Sequence, residues 1–377
     1  MDGLSVYVHI PFCERKCSYC DFNSFAGKQD FFEPYANSLI KEIENSQELL
    51  NKEIDTIFIG GGTPSVLPPY YIAKIMEALG SFNISKTAEI TIEANPNSLT
   101  SDKLSVYRKS GINRLSIGLQ AVQNNLLRKL GRLHSVDDFF SCYANARNAG
   151  FENISADLIF ALPDQTLSDW EESLKTLINL ELNHISCYSL IIEENTPFYT
   201  DYEKGILSPA DDELDRQMYY IAVDMLSRNS FKQYEISNFA CKGYESRHNI
   251  AYWTRKDYIG FGLSAHSLIN NTRFENTAAL DKYIDYNGNS ENIRLNINPL
   301  SQKDMIEEFM FLGLRMTEGI SQTEFKKQFC VGIMEIYGNA LQQQMRDGLI
   351  FFDNNVIKLT KKGVDLSNIV FSSLLLN

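Results

Sequence analysis

The chain has no excess of positive charge. Its 377 residues carry 35 Lys and Arg against 48 Asp and Glu, which gives a formal net charge of −13 at pH 7. A nucleic-acid partner requires a basic face, and docking on an anionic membrane requires a cluster of cations. We therefore expect neither partner, and the acidic excess is typical of a protein that is kept in solution by its charge.

Long apolar runs and a secretory leader are also missing. No stretch approaches the roughly 20 residues of a membrane span, and the opening MDGLSVYVHIPFC lacks the basic region of a signal peptide. The seven cysteines are odd in number and irregularly spaced. In a reducing compartment, clustered thiols indicate metal binding more often than disulfides, so we expect a cytoplasmic protein with a metal site.

What the sequence does contain is an alternation of strands and helices. Short β-rich apolar runs end in polar or glycine-rich turns and are followed by helical segments such as 31–50, 170–180 and 211–228. The runs are residues 5–10, 56–59, 89–93, 114–118, 155–162 and 184–192. This order predicts parallel strands with right-handed crossovers. A partial (β/α)6 barrel and a doubly wound sheet both satisfy it.

The remainder of the chain predicts two further parts. Residues 236–253 read as an ordered loop, and the Asn, Gly, Ser and Pro content of 287–299 predicts a linker. Helices at 303–315 and 334–346, a capping box at Ser321 and Glu324, and a hairpin in GLIFFDNNVIKLT predict a small winged-helix-like α+β module. The predicted domains are therefore 1–235, 236–298 and 299–377. From Ser301 onward eight Lys and Arg face nine Asp and Glu, which disfavours DNA binding by the module.

Three cysteines are packed into HIPFCERKCSYCDF, just after the first predicted strand. Cys13, Cys17 and Cys20 have the spacing CxxxCxxC, which can bring three thiolates to one centre. Zinc prefers a fourth ligand, and the nearby His9 leaves a Cys3His zinc site open. A [4Fe–4S] cluster on three thiolates would leave one iron free for a small molecule. Unliganded thiols are the third alternative.

The cysteine loop resembles the signature of the radical SAM superfamily, in which it follows the first strand of a partial (β/α)6 barrel. The resemblance implies a [4Fe–4S] cluster on Cys13, Cys17 and Cys20, with S-adenosylmethionine (SAM) chelated at the open iron. In that family, reduction splits the sulfonium to give a 5′-deoxyadenosyl radical. The protein supplies the positioning, while the cofactors carry the difficult chemistry.

Further motifs at the strand ends fit the same family. GGGTP resembles its glycine loop, where glycine lets the backbone approach a ligand closely. Because the carboxyl ends of barrel strands meet at one mouth, these distant groups should converge there. The resemblance implies SAM contacts from Tyr7, Gly61, Gly62, Thr63, Glu93, Gln120, Arg132 and Asp157.

Motifs over nearly the whole chain resemble the oxygen-independent coproporphyrinogen III dehydrogenase branch. That branch contains the dehydrogenase of heme synthesis and the HemW-type heme chaperones, which pass heme to acceptors such as respiratory enzymes. The dehydrogenase typically has CxxxCxxCxC, whereas the chaperones have CxxxCxxCxF, and here Phe22 holds that last position. We therefore favour a heme chaperone, with an electron donor if SAM is cleaved.

The segment HNIAYW matches the HNxxYW motif that is associated with heme in these chaperones. The resemblance implies that His248, Asn249, Tyr252 and Trp253 contact heme, since a neutral imidazole is a natural ligand of heme iron. His266 is a further candidate for the SAM or heme cavity. Catalytic residues are not assigned. The alternatives are the dehydrogenase itself and a zinc-stabilised interaction module with a winged helix.

Overall fold

The computed structural model describes residues 3–376. Its strands, in chain order, are β1 (Leu4–Ile10), β2 (Phe12–Cys13), β3 (Phe25–Ala26), β4 (Glu53–Gly61), β5 (Asn83–Ala94), β6 (Arg114–Gln120), β7 (Asn153–Phe160), β8 (His184–Ser189), β9 (Lys232–Glu235), β10 (Asn238–Ala240), β11 (Tyr258–Phe261), β12 (His266–Ile269), β13 (Thr272–Asn276), β14 (Arg294–Pro299), β15 (Ile320–Ser321), β16 (Ile350–Asp353) and β17 (Val356–Leu359). All six strands predicted from the sequence are present.

Helices follow most of the parallel strands. They are α1 (Phe32–Asn45), α2 (Pro69–Leu79), α3 (Ser101–Lys109), α4 (Asn124–Lys129), α5 (Val136–Asn148), α6 (Leu167–Ile178), α7 (Pro197–Glu203), α8 (Asp212–Ser227), α9 (Arg247–Trp253), α10 (Leu280–Tyr286), α11 (Ser290–Ile293), α12 (Gln302–Gly313), α13 (Gln322–Phe329), α14 (Ile333–Arg346), α15 (Lys361–Asp365) and α16 (Ser367–Ser372). Within residues 3–376, none combines the length and the hydropathy needed to cross a bilayer.

The order of strands in the large sheet decides between the two predicted architectures. The sheet runs β14-β13-β12-β11-β1-β4-β5-β6-β7-β8-β10-β9, and the strands from β11 to β8 in this order pair in parallel. A doubly wound sheet reverses its strand order at a switch point, and no reversal occurs between β4 and β8. The partial barrel is confirmed and the doubly wound alternative is wrong.

Side chains of the barrel strands alternate between two environments, as the strand period of two requires. On β1, Val6 and Val8 are buried in the outer hydrophobic core with the helices, whereas Tyr7 and His9 face an interior cavity. The five following strands each add a side chain to that cavity: Phe58, Glu93, Ser116, Asp157 and Ser186. One cavity lined by all six strands shows that the sheet curls around it, and most of the lining residues carry polar or charged groups.

The C-terminal module has its own hydrophobic cluster, centred on residues such as Met310, Phe325, Leu341 and Ile357. Three helices (α12, α13, α14) and the hairpin β16–β17, joined by β15, build the predicted winged-helix-like α+β fold. Ser321 caps α13 by accepting a hydrogen bond from the Glu324 N–H. The domain boundaries at 235 and 298 stay predictions.

Two segments differ from what the sequence predicted. Residues 287–299 are not a linker, because they form α11 and the edge strand β14, which pairs with β13. Edge strands tolerate exposed polar side chains and proline, so composition misled here. Residues 236–253 are not a loop throughout, since β10 and α9 lie within them. The helix is only seven residues long, too short for a periodic signal, and its capping residue Ser246 is the one local signal of its start.

A buried carboxylate ties α1 to the late strands. Glu42 is 2% exposed and accepts hydrogen bonds from the Gly262 N–H (2.9 Å), Asn276 Nδ2 (2.7 Å) and the Tyr283 hydroxyl (2.6 Å). Burial raises the pKa of Glu42, and these three donors oppose the rise. Its partners lie after β11, on β13 and on α10, so one side chain fastens the far edge of the sheet to the first helix.

We expect Glu42→Ala to lower the free energy of unfolding by about 3 kcal/mol, because three buried donors lose their acceptor. Urea denaturation followed by circular dichroism measures the change. Glu44→Ala, on the exposed side of the same helix, is the matched control and should change the value by no more than about 0.5 kcal/mol. Equal losses in the two variants would show that Glu42 does not fasten these elements.

Candidate functional site

The cysteine loop is held in place by backbone contacts to two other barrel loops. The Ser18 N–H donates to the Leu130 carbonyl (3.0 Å), and the Ser18 carbonyl accepts from the Phe198 N–H (2.9 Å). Gly131, with φ of +75°, passes so close that a Cβ there would lie 3.0 Å from Ser18 Oγ. The loop is therefore positioned by the ends of α4 and α7, above the mouth of the barrel.

The three cysteines line one cavity of about 400 Å³ at this mouth, which we call the mouth cavity. Burial raises the pKa of the Cys20 thiol to about 11 and also raises that of Cys13. These thiols therefore need a bound cation to become thiolates. Within residues 3–376, no three His, Cys, Asp or Glu side chains are already gathered as metal ligands. The donor set fits an iron–sulfur cluster, which brings its own positive charge.

His9 is not available as a fourth ligand. Its Nδ1 is hydrogen-bonded to the Tyr7 hydroxyl (2.9 Å) and its Nε2 to the Asn23 carbonyl (3.0 Å). Burial lowers its pKa to about 4, so the ring is neutral, and it faces the interior cavity and not the cysteines. The Cys3His zinc alternative has no support in this geometry.

The glycine loop lies beside the cysteines, as predicted. The N–H groups of Gly62 and Thr63 donate to the carbonyls of Ile10 and Phe12, and the Gly61 N–H donates to Glu93 Oε2. A Cβ on Gly61 would lie 2.6 Å from the His9 ring, and one on Gly62 would lie 2.7 Å from the Phe12 carbonyl. Glycine is thus required at both positions, and a ligand here meets a backbone whose N–H groups are already used.

The remaining predicted SAM contacts converge on the same cavity, except Tyr7. Arg132 donates to Cys17 Sγ (3.4 Å), Asn95 Oδ1 (2.6 Å) and the Gly118 carbonyl (2.6 Å). Gln120 ends β6 with φ of +73°, a conformation that is rare outside glycine. Gly61, Gly62, Thr63, Glu93, Gln120, Arg132 and Asp157 all line the mouth cavity. Whether each contacts SAM stays a prediction.

Below the mouth cavity lies the interior cavity lined by the strands, which we call the inner chamber. Its volume is about 240 Å³, and six lining residues are shared by the two cavities: Phe22, Gly61, Glu93, Ser116, Asp157 and Tyr188. Burial, and then the charge of Asp157, raise the pKa of Glu93 to about 8. Burial also raises the pKa of Asp157, which accepts a hydrogen bond from Ser116. Tyr7 lies in this chamber beside His9.

The HNxxYW motif lies at the opposite end of the barrel. It forms α9, whose first N–H groups, on Arg247 and His248, donate to Glu89 of β5 (both 3.1 Å). His248 Nδ1 is hydrogen-bonded to Thr56 Oγ1 (2.8 Å) and Nε2 to the Tyr252 hydroxyl (2.9 Å). Thr56 and Glu89 lie near the amino ends of their parallel pairing. The helix therefore closes the bottom of the barrel.

His248, Asn249 and Tyr252 face the inner chamber, but Trp253 does not line it. The Arg315 guanidinium lies 4.4 Å from the Trp253 ring centroid, and the neighbouring Arg255 pairs with Glu308 of α12 at 2.8 Å. The motif thus braces the C-terminal module against the barrel. His266 is exposed beside Glu275 (3.4 Å) and lines neither cavity, so that expectation is wrong.

Sequence reasoning missed several lining residues. Arg114 and Ser116 on β6 face the inner chamber, and Tyr188 on β8 lines both cavities. The signal was the strand period of two: RLSIGLQ places Arg114, Ser116, Gly118 and Gln120 on one face. Motif matches alone do not indicate these residues.

Comparison with known proteins adds the family. A sequence model of the radical SAM superfamily matches residues 7–177, and one of the HemN C-terminal domain matches residues 300–366. The chain is 39% identical to the heme chaperone HemW of Bacillus subtilis, over 98% of this chain and 99% of that protein. The chain belongs to the HemW family of the radical SAM superfamily. HemW of Lactococcus lactis is 35% identical over 99% of this chain and 97% of its own length.

The HemW family fold has a solved counterpart. Coproporphyrinogen III oxidase (HemN) from Escherichia coli, described as a radical SAM enzyme, superposes with a TM-score of 0.86 at 24% identity, over 99% of this chain and 90% of that one. This likeness establishes the fold and not the activity. Membership of the radical SAM superfamily implies a [4Fe–4S] cluster and SAM, which the thiols and the mouth cavity fit.

We expect Cys17→Ala to abolish the brown absorption of the reconstituted cluster, because two thiolates cannot replace three. Visible absorption, with iron and sulfide analysis, measures the loss. Cys330→Ala, at an exposed thiol on the C-terminal module, should leave the spectrum unchanged. A full cluster in Cys17→Ala would refute the ligand set.

The neutral Glu93 carboxyl predicts a pH dependence of stability. The folded chain holds this proton up to about pH 8, whereas an ordinary glutamate loses it near 4.5. The contribution of the Glu93 proton to the free energy of unfolding is therefore fully present below pH 4.5, and it is lost as the pH rises toward 8. We expect thermal unfolding of the cluster-free chain to shift less over this interval in Glu93→Gln than in the wild type. The exposed Glu77→Gln should keep the wild-type dependence, and an unchanged profile for Glu93→Gln would contradict the assignment.

Proposed function

We propose that this chain is a heme chaperone that binds heme and transfers it to acceptor hemoproteins such as respiratory enzymes. The observation that carries the proposal is its full-length similarity to two proteins named as heme chaperones, at 39% and 35% identity. Phe22 gives independent support, because the dehydrogenase pattern has cysteine at this position and the chaperone pattern has phenylalanine.

In this proposal Cys13, Cys17 and Cys20 hold the cluster, and the residues around the mouth cavity hold SAM. Together the two cofactors would supply radical chemistry once an electron donor reduces the cluster. The protein's own contribution is to orient them: Arg132 fixes the Cys17 side of the site by its bonds to Asn95 and Gly118, and the glycine loop packs against His9 and Phe12 at the wall of the cavity. The cytoplasm is the expected location.

The role of HNxxYW in heme binding stays a prediction, and the hydrogen bonds of His248 determine what iron ligation would require. Both ring nitrogens of His248 are engaged within the protein, so iron ligation by this residue requires those bonds to break. Its 1% exposure leaves heme no access from outside the barrel.

A hemin titration of the anaerobically reconstituted chain tests the function. We expect a Soret band that saturates near one heme per chain, because the proposal requires a specific site and not loose adsorption. The same titration with His248→Ala decides whether this histidine is involved: loss of the band with the cluster absorption retained would implicate His248 in heme binding, and persistence would place the heme elsewhere.

The dehydrogenase alternative supplies the control measurement. Coproporphyrinogen III is incubated anaerobically with the reduced, SAM-loaded chain, and decarboxylated product is measured. We expect none. Product formation without saturable hemin binding would overturn the chaperone proposal in favour of the dehydrogenase.

A further inference from the structure

Three large apolar side chains are exposed on the rim of the mouth cavity. Phe22 is 61% exposed, Ile191 65% and Tyr188 41%, and all three line this one cavity. Single exposed apolar residues are ordinary, but several around one cavity mark a binding surface. They come from different parts of the chain, the cysteine loop and the segment at the end of β8, so the barrel brings them together.

Two cations adjoin this apolar rim. Arg15 and Lys16 of the cysteine loop line the same cavity, and Lys16 Nζ donates to the Phe22 carbonyl at 3.0 Å. Arg15 has no ion-pair partner within 4 Å among residues 3–376. Asp21 and Glu193 also line the cavity, so the rim carries charges of both signs. In a chain of net charge −13, neighbouring unpaired cations are suited to an anionic group.

The interior of the barrel is too small for heme. The inner chamber, at about 240 Å³, lies below the roughly 300–1,000 Å³ of pockets for drug-sized ligands, so a porphyrin does not fit inside. At its base the nitrogens of His248 are occupied, and Trp253 packs against Arg315, outside the chamber.

We propose that heme docks on the rim of the mouth cavity, with its apolar ring against Phe22, Tyr188 and Ile191 and its carboxylates beside Arg15 and Lys16. A flat apolar ring with carboxylates at one edge matches a surface that is apolar on one part and cationic on another. The inference rests on the proposed heme-chaperone function and adds the location. It also gives Phe22 a physical role, as an aromatic face where the dehydrogenase pattern has a thiol.

Hemin titrations of the reconstituted full chain test this location. Ile191→Asp should raise the dissociation constant about tenfold, equivalent to about 1.4 kcal/mol, because it places a charge against the ring. The double variant Arg15→Glu/Lys16→Glu should weaken hemin about tenfold as well, through repulsion of the carboxylates. Hemin dimethyl ester has no carboxylates, so its affinity should be the same for this variant and the wild type.

Matched controls are available elsewhere on the surface. Ile297→Asp changes an isoleucine of similar exposure, 63%, on the edge strand β14, and Lys326→Glu/Lys327→Glu makes the same change of charge on α13. Neither should affect hemin binding. Cluster absorption is checked in each variant. If the Arg15→Glu/Lys16→Glu variant loses its cluster, the test rests on Ile191→Asp, because Ile191 lies outside the cysteine loop.

The outcomes separate the two proposals. Saturable binding to the wild type that the rim variants leave unchanged would overturn the rim site and leave the chaperone function standing. Equal weakening of hemin and its ester by the double variant would overturn the role of the two cations. Absence of saturable binding in the wild type would overturn both proposals together.

Discussion

The polar inner face of the six parallel strands is the constraint on which the rest of this structure depends. In many α/β barrels the interior is filled by branched aliphatic side chains. Here the aliphatic residues of β1 and its neighbours face outward into the helical layer, and residues such as Glu93, Asp157 and Ser116 face inward. The barrel is stabilised from outside, and its interior is left for ligands.

The two ends of this interior are built for different purposes. At the mouth, loops that follow different strands bring thiols, a glycine loop and Arg132 around one cavity, and the cysteine loop is held by backbone contacts and by the side chains of His9 and Arg132. At the base, α9 is bound to β4 and β5 by side-chain hydrogen bonds and to the C-terminal module by Arg315 and Glu308. The cavity suited to cofactors therefore lies at the open end of the barrel. The contacts that join the barrel to the C-terminal module lie at the closed end.

How much the sequence could predict depended on the kind of signal. The cysteine loop, the glycine loop and the six strands were predictable, because each rests on local spacing or local periodicity. The arrangement of β14 was not, since an exposed edge strand has a composition like that of a linker. The position of HNIAYW also escaped, because a motif match says which residues occur together and not which end of a barrel they occupy. Only the strand order and the bonds of His248 locate it.

The place of β1 in the sheet has a consequence for how the chain is made. This strand pairs on one side with β4 and on the other with β11, residues Tyr258–Phe261. During synthesis on the ribosome, its first neighbour emerges early, but its second edge stays open until more than two thirds of the protein has been translated. The strand that leads into the cysteine loop is thus completed late.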